Sequence, residues 1–221
     1  MSLEKLIKNH VKSIEEIPEL QEYFNGNELK VSKRDVLNAI KTLREQFNED
    51  IIIYGGIMVY PEILGYKKHI RKPSTDIDCV LKNLKGVEEF YYIKDFDTGL
   101  KIVGNVPVSF SYKHIHDFSI PQDFYKDAIK VDGASYCNPS YLIMMKLRRR
   151  FPKDYLDIAS LLASEKANVD IEKTINLIKN YITSDKEKIS KLFQPLKKYS
   201  QQIPKKDRKN IYNFLSLTET L

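Results

Sequence analysis

Two apolar runs constrain this chain more than anything else in it: Ile51-Ile52-Ile53-Tyr54-Gly55-Gly56 and, after a basic stretch, Thr75-Asp76-Ile77-Asp78-Cys79-Val80-Leu81. A β-branched run that ends in Gly-Gly reads as a buried strand turning sharply. Asp-Ile-Asp inside the second run puts two carboxylates at i and i+2 of a strand, on one face and roughly 6.6 Å apart. Bare like charges that close repel, and a cation between them removes the penalty. Oxygen-only donors suit Mg²⁺, which one or two carboxylates hold together with phosphate oxygens. Gly55 and Gly56, lacking Cβ, let backbone N–H groups approach a phosphate, and a helix predicted from about 57 to 64 would aim its positive N-terminus there. Gly-Gly alone is an ordinary turn and Asp-x-Asp alone a solvated strand face. In this order, flanked by apolar strand, they point to a phosphate-and-metal site.

The rest of the chain divides by pattern. Residues 3 to 24 alternate apolar and charged positions at helical spacing. Ser32-Lys33-Arg34-Asp35 is a capping-box-like start for a helix running to about Phe47, with Val36, Leu37, Ile40, Leu43 and Phe47 on its apolar side. Glu88 to Lys94 and Leu100 to Val103 read as a hairpin around Asp97-Thr98-Gly99, followed by a strand from 106 to 112. From Pro139 onward the pattern is helical: roughly 140 to 150, 153 to 164, 171 to 182, 185 to 199 and 205 to 217. Asp170 and Ser184 are the predicted caps. The expected fold class is therefore α+β: a small mixed sheet with flanking helices over 1–138, then an all-α domain over 139–221, with a cleft between them.

Charge follows the same division. Residues 139–221 carry 17 Lys+Arg against 9 Asp+Glu, whereas residues 1–138 carry 19 against 21. The basic character belongs to the helical part. Lys186 to Lys209 reads equally as a solvated face or as a contact for a phosphate-rich partner. Lys146 and Arg150, four apart on a predicted helix, share a face and would offer a point charge and a planar fork to a polyphosphate. No apolar run reaches the ~18 residues a membrane span needs, and the N-terminal residues show no signal-peptide core, so a cytoplasmic location is expected. Cys79 and Cys137 read as reduced, packed thiols. His114 and His116 read as polar strand-end packing, with no third ligand nearby in sequence.

Strand, Gly-Gly, helix and then Lys72-Pro73-Ser74-Thr75-Asp76-Ile77-Asp78 resembles the signature of the polymerase-β-type nucleotidyltransferases. A second segment, Pro139 to Ile158, is similar to the AbiEii/AbiGii toxin-like group within them: Lys146 and then Arg150 on a helix, followed by Lys153-Asp154-Tyr155-Leu156-Asp157-Ile158 at the start of the next. The resemblance spans roughly residues 50 to 162. It implies a nucleotidyltransferase core and transfer of a nucleoside monophosphate from an NTP to an acceptor hydroxyl, with an RNA or tRNA end as acceptor and a cognate antitoxin protein as partner. Asp76 and Asp78 would hold Mg²⁺, Gly55, Gly56 and Ser74 would bind the nucleotide, and Lys146 with Arg150 would neutralise charge as pyrophosphate leaves. Asp154 would lie in the cleft as a catalytic acid.

The chain departs from that pattern twice. Nineteen residues, Ile57 to Thr75, separate Gly56 from Asp76, so Gly65 to Arg71 reads as an insertion. On the strand from 106 to 112, Val106, Val108, Phe110 and Tyr112 form one face and Pro107, Ser109 and Ser111 the other, with Ser109 where the resemblance implies a third carboxylate. Asp154 is the residue expected to compensate. Two functions stay open: an Mg²⁺-dependent nucleotidyltransferase, or a degenerate module that binds nucleotide or nucleic acid without turning it over. A small-molecule nucleotidylase would need an acidic acceptor pocket, which the basic C-terminal part does not favour.

Overall fold

Ser32 begins the first long helix, as its capping box predicts. Its hydroxyl accepts the Asp35 N–H at 3.2 Å, and the Asp35 carboxylate accepts the Ser32 N–H at 2.8 Å. The Ser32 hydroxyl, which also donates to Asp35 Oδ2 at 2.7 Å, and then the Ser32 N–H hold the Asp35 carboxyl below its ordinary range. The computed structural model describes residues 2–13, 16–18, 31–115 and 118–219. Among them are eight helices, α1 (Leu3–Leu6), α2 (Lys33–Phe47), α3 (Gln122–Lys126), α4 (Pro139–Arg149), α5 (Pro152–Ala163), α6 (Ile171–Tyr181), α7 (Lys186–Tyr199) and α8 (Lys209–Glu219). Ten strands accompany them: β1 (Asn9–Val11), β2 (Ile51–Tyr54), β3 (Ile77–Leu81), β4 (Tyr91–Ile93), β5 (Thr98–Val103), β6 (Val106–Ser111), β7 (His114–Ile115), β8 (Phe118–Ser119), β9 (Ile129–Val131) and β10 (Ala134–Tyr136). The expected mixture of helix and sheet is present. None of the helices among these residues is long and apolar enough to cross a membrane.

The chain groups into two units, Met1–Ile57 with Ser74–Cys137, and Met58–Pro73 with Asn138–Leu221. The chain passes from one to the other after Cys137, and Met58–Pro73, expected with the sheet, groups with the helices instead.

The first unit is built on an eight-stranded mixed sheet in the order β1-β4-β5-β6-β3-β2-β10-β9. The β1/β4, β3/β6 and β2/β10 pairs are parallel and the other four antiparallel. Val36, Ala39, Ile40, Leu43 and Phe47 of α2 are buried, and the Phe47 ring lies 5.7 Å from Phe110 and 6.0 Å from Phe90. Phe90 and Phe110 approach to 4.5 Å. The predicted hairpin forms with Tyr91 opposite Leu100, but its turn is made by Lys94–Phe96 and by Asp97 in the left-handed conformation, leaving Thr98 and Gly99 in the strand. The helix expected over 3 to 24 does not run through: α1 has four residues, and Asn9–Val11 extends to pair with β4. Edge pairing has overridden a local helical pattern. Residues 19–30 lie outside the described part, as does His116.

In the second unit, residues 139–219 fold into helices whose limits lie close to the predicted ones. Asn138, Asp170 and Asp185 accept backbone N–H groups at the starts of α4, α6 and α7, so the cap expected at Ser184 falls one residue later. Phe193 of α7 meets Phe214 of α8 edge-on at 4.8 Å, and Tyr155 of α5 stacks on Tyr199 at 5.6 Å.

Candidate functional site

Strand register brings the first group of candidate residues together. In the antiparallel β2/β3 pair Tyr54 lies opposite Asp78, and in the parallel β3/β6 pair Asp78 lies opposite Ser109. The β6 burial alternates as the sequence predicts: Val106, Val108 and Phe110 are buried, while Pro107, Ser109 and Ser111 are half-buried on the other face. Ser109 Oγ donates to Asp78 Oδ1 at 2.7 Å. Ser109, where the resemblance led to the expectation of a third acid, is therefore in direct contact with the strand carboxylate.

Gly55 completes this corner. Its φ of +83° is a conformation that residues with a Cβ rarely adopt, and a Cβ placed there would stand 2.2 Å from Asp78 Oδ2. The missing side chain thus makes room for the Asp78 carboxylate itself. The expected helix after the glycines does not form. Gly55–Val59 is a five-residue 3-10 segment, with Pro61 soon after. A proline at that point of an α-helix would lack the N–H and clash with the preceding turn, so the predicted helix dipole is absent. The backbone instead tightens through Leu64 N–H to Met58 O and Gly65 N–H to Tyr60 O.

Asp76 also departs from expectation. It sits at an exposed bend just before β3, so only Asp78 projects from the strand itself. Ser74 Oγ donates to Asp76 Oδ1 at 2.6 Å. Each aspartate consequently has one oxygen engaged by a serine hydroxyl. Burial, then the Asp78 charge, pushes the Tyr54 phenol well above its ordinary range, and the same two causes in the same order raise the Cys79 thiol. The Tyr54 hydroxyl and Ser111 Oγ are 3.4 Å apart. In the sequence Tyr54 is one of 14 tyrosines and reads as packing; its place at the end of β2, directly before Gly55, is the signal that sets it apart.

The donor chemistry of Asp76 and Asp78 suits Mg²⁺. The donor set is all oxygen, one acid is held in a glycine cradle and the other lies exposed at a bend, as expected for an ion that also takes water and phosphate ligands. Among the described residues no cluster of three or more His, Cys, Asp or Glu side chains is arranged to hold a metal.

In the second unit the predicted residues form an ion network. Lys146 is buried, 3% exposed, with Nζ 2.5 Å from Asp157 Oδ2 and 3.5 Å from Asp154 Oδ1. Arg71 clamps Asp157 with Nε on Oδ1 and Nη2 on Oδ2, the latter at 3.0 Å. Arg149 clamps Asp154 with Nη2 to Oδ1 at 2.5 Å and Nε to Oδ2 at 3.0 Å. Asp154 Oδ2 also accepts the Phe151 N–H at 3.0 Å, closing the start of α5. Burial works against the charged form of Asp154, but Arg149 and Lys146 outweigh it and hold the carboxyl below its ordinary range. The Lys146 ammonium, expected to face a polyphosphate, is committed to two aspartates.

Arg150 does not share the Lys146 face as predicted. α4 ends at Arg149, and Arg150 caps it in the left-handed conformation at φ +62°, exposed, its N–H on Lys146 O at 2.8 Å. Arg71, read as part of an insertion, is a member of the network. The i, i+3 spacing of Asp154 and Asp157 is the sequence signal that two acids share one side of α5.

No protein-family model matches the chain, and no curated protein matches it. Among solved structures it is similar to JHP933 from Helicobacter pylori, with 14% identity over 86% of this chain and 93% of that one, at a TM-score of 0.45. It is also similar to a second H. pylori protein, provisionally described as a nucleotidyltransferase, with 14% identity over 86% and 95% and a TM-score of 0.43. The chemistry of the site is accordingly read from its own residues.

Proposed function

We propose that the chain is an Mg²⁺-dependent nucleotidyltransferase that moves a nucleoside monophosphate from an NTP to an acceptor hydroxyl, with an RNA or tRNA end as the favoured acceptor. The observation that carries this reading is the Gly55–Asp78 corner, where a left-handed glycine leaves just the space the strand carboxylate fills. Asp76 and Asp78 would hold the ion, which when bound neutralises phosphate charge and orients the triphosphate. The exposure of Asp76 at its bend and the hydrogen bond that the Ser74 hydroxyl donates to its carboxylate support this role. The turn at Gly55 and Gly56 offers backbone N–H groups to phosphate oxygens. Lys146 and Asp154 are engaged with each other and their neighbours within the α4–α5 network. Catalysis of this kind is mostly positioning and electrostatics.

The second reading is a module that binds nucleotide without transfer, and the Ser109–Asp78 hydrogen bond favours it: a hydroxyl occupies the position from which a third acid would help activate the attacking group. Incubation with each labelled NTP, Mg²⁺ and bulk tRNA separates the two. Label transfer that disappears in Asp76→Asn/Asp78→Asn supports the enzyme. Nucleotide binding without transfer from any NTP supports the module. A cognate antitoxin belongs to the first reading, and co-purification with the product of a neighbouring gene would test it.

A further inference from the structure

Away from these residues, the second unit carries an open cavity of about 390 Å³ lined by Lys197, Gln201, Arg208, Tyr212, Leu215 and Ser216. It is built where α7 ends in the 3-10 turn Ser200–Gln202 and α8 begins after Pro204. The Arg208 guanidinium is held in place by the chain around it: Nε donates to Ile203 O at 2.6 Å and Nη2 to Gln201 O at 3.0 Å. Its Nη1 meets the Tyr212 hydroxyl at 3.3 Å. Tyr212 is 46% exposed, an unusual position for an aromatic ring beside a fixed cation, while Leu215 behind it is buried. The wall therefore combines a planar cation, an exposed aromatic face and the hydrogen-bonding groups of Gln201 and Ser216.

Charge selects the ligand. Residues 186–209 contain nine Lys+Arg and two acids. Both acids are engaged, Glu187 by Lys191 at 2.6 Å and Asp207 by Lys67 at 3.0 Å together with the Tyr66 hydroxyl. Lys197, Lys198, Lys205, Lys206 and Lys209 are exposed. The cavity volume is near the lower end of those that hold small ligands, enough for one nucleotide unit and not for a duplex. An aromatic face flanked by cations is the arrangement that binds single strands, with bases stacked on the ring and phosphates on the charges.

We propose that this cavity binds one nucleotide of a single-stranded RNA, its base against Tyr212 and its phosphates toward Arg208 and Lys197. The neighbouring exposed lysines extend the positive surface past a single nucleotide, which selects a polynucleotide over a free one. The choice of RNA rests on the proposed transfer to an RNA acceptor; the site itself rests on the cavity.

The test is fluorescence anisotropy of the full chain with a labelled oligoadenylate of about ten nucleotides, within the span such sites cover. Tyr212→Ala is expected to weaken binding about tenfold, the effect of one lost base–aromatic stack. Tyr212→Phe, which keeps the ring, should bind clearly tighter than Tyr212→Ala. Lys197→Ala should lower the slope of log affinity against log salt by about 0.7, one phosphate contact. Equal affinity of wild type and Tyr212→Ala would overturn the proposal. Competition by adenosine monophosphate as effective as by the oligomer would overturn the polynucleotide assignment, and equal competition by polyglutamate would reassign the cavity to an acidic peptide. Asp76→Asn/Asp78→Asn, tested in parallel, should bind the oligomer like wild type, so loss of transfer and loss of RNA docking are read separately.

Discussion

Gly55 is the residue on which the candidate site turns, and its substitution makes a specific expectation. Gly55→Ala meets two obstacles, a positive φ and a Cβ 2.2 Å from Asp78 Oδ2. The backbone strain alone is worth about 1–3 kcal/mol, and displacement of the carboxylate adds to it. Chemical denaturation of Gly55→Ala, Asp78→Gly and the double variant should reveal non-additivity, because Asp78→Gly removes the side-chain atoms that a Cβ at Gly55 would meet and leaves the φ strain. Strict additivity would mean the two residues do not share the corner. Ser109 yields a second expectation. Ser109→Asp sets a carboxylate beside Asp78, so without Mg²⁺ the protein should melt lower than wild type, and Mg²⁺ should raise its melting temperature more than it raises that of wild type. If wild type is a binding module, the same substitution should bring transfer from undetectable to measurable. Ser109 was legible in the sequence through strict alternation along β6. The collision at Gly55 was not, because a Gly-Gly pair says that the backbone turns but not which side chain comes to occupy the space.

Between α4 and α5 the same logic operates on charges. Arg71, Asp157, Lys146, Asp154 and Arg149 alternate in sign, with the two aspartates and Lys146 buried. Lys146→Met would leave two buried carboxylates short of a cation, and losses of about 3–5 kcal/mol are usual when one partner of a buried pair is removed. Thermal unfolding without nucleotide should register that loss; an unaltered melting temperature, together with weaker triphosphate binding, would return Lys146 to the ligand-facing role first expected of it. Asp154 adds a pH dependence. Its folded pKa lies below the ordinary value, so its contribution is full above the unfolded aspartate pKa of about 3.9 and is lost as pH falls through the folded value. Asp154→Asn should therefore flatten the acid limb of the stability profile, and an acid limb identical to wild type would remove Asp154 from the account. The helices of this region were legible because Asp170 and the Pro residues punctuate a clear apolar period. The segment after Gly56 misleads because its apolar spacing outweighs Pro61, and β1 because strand pairing across the sheet edge leaves no trace in a short local pattern.

Over the whole chain the functional residues divide as the charges do. The acids proposed to hold the metal belong to the sheet-bearing unit, and the basic surface proposed to meet RNA belongs to the helical one. The distribution of Lys and Arg along the chain makes this division legible by itself. It does not show that Met58–Pro73 groups with the helices, because that depends on contacts such as Arg71 with Asp157 and the Tyr66 N–H with Ser160 Oγ, made across long stretches of sequence. Asp76 and Asp78 are proposed to bind a nucleoside triphosphate through a divalent ion. Calorimetric titration of each NTP with and without Mg²⁺, on wild type and Asp76→Asn/Asp78→Asn, tests this most directly. Removing clustered like charges relieves repulsion in the metal-free protein, so the variant should stay folded. The account predicts Mg²⁺-dependent binding by wild type and at least a tenfold loss, about 1.4 kcal/mol, in the variant; the same affinity in both, or binding indifferent to Mg²⁺, would contradict it.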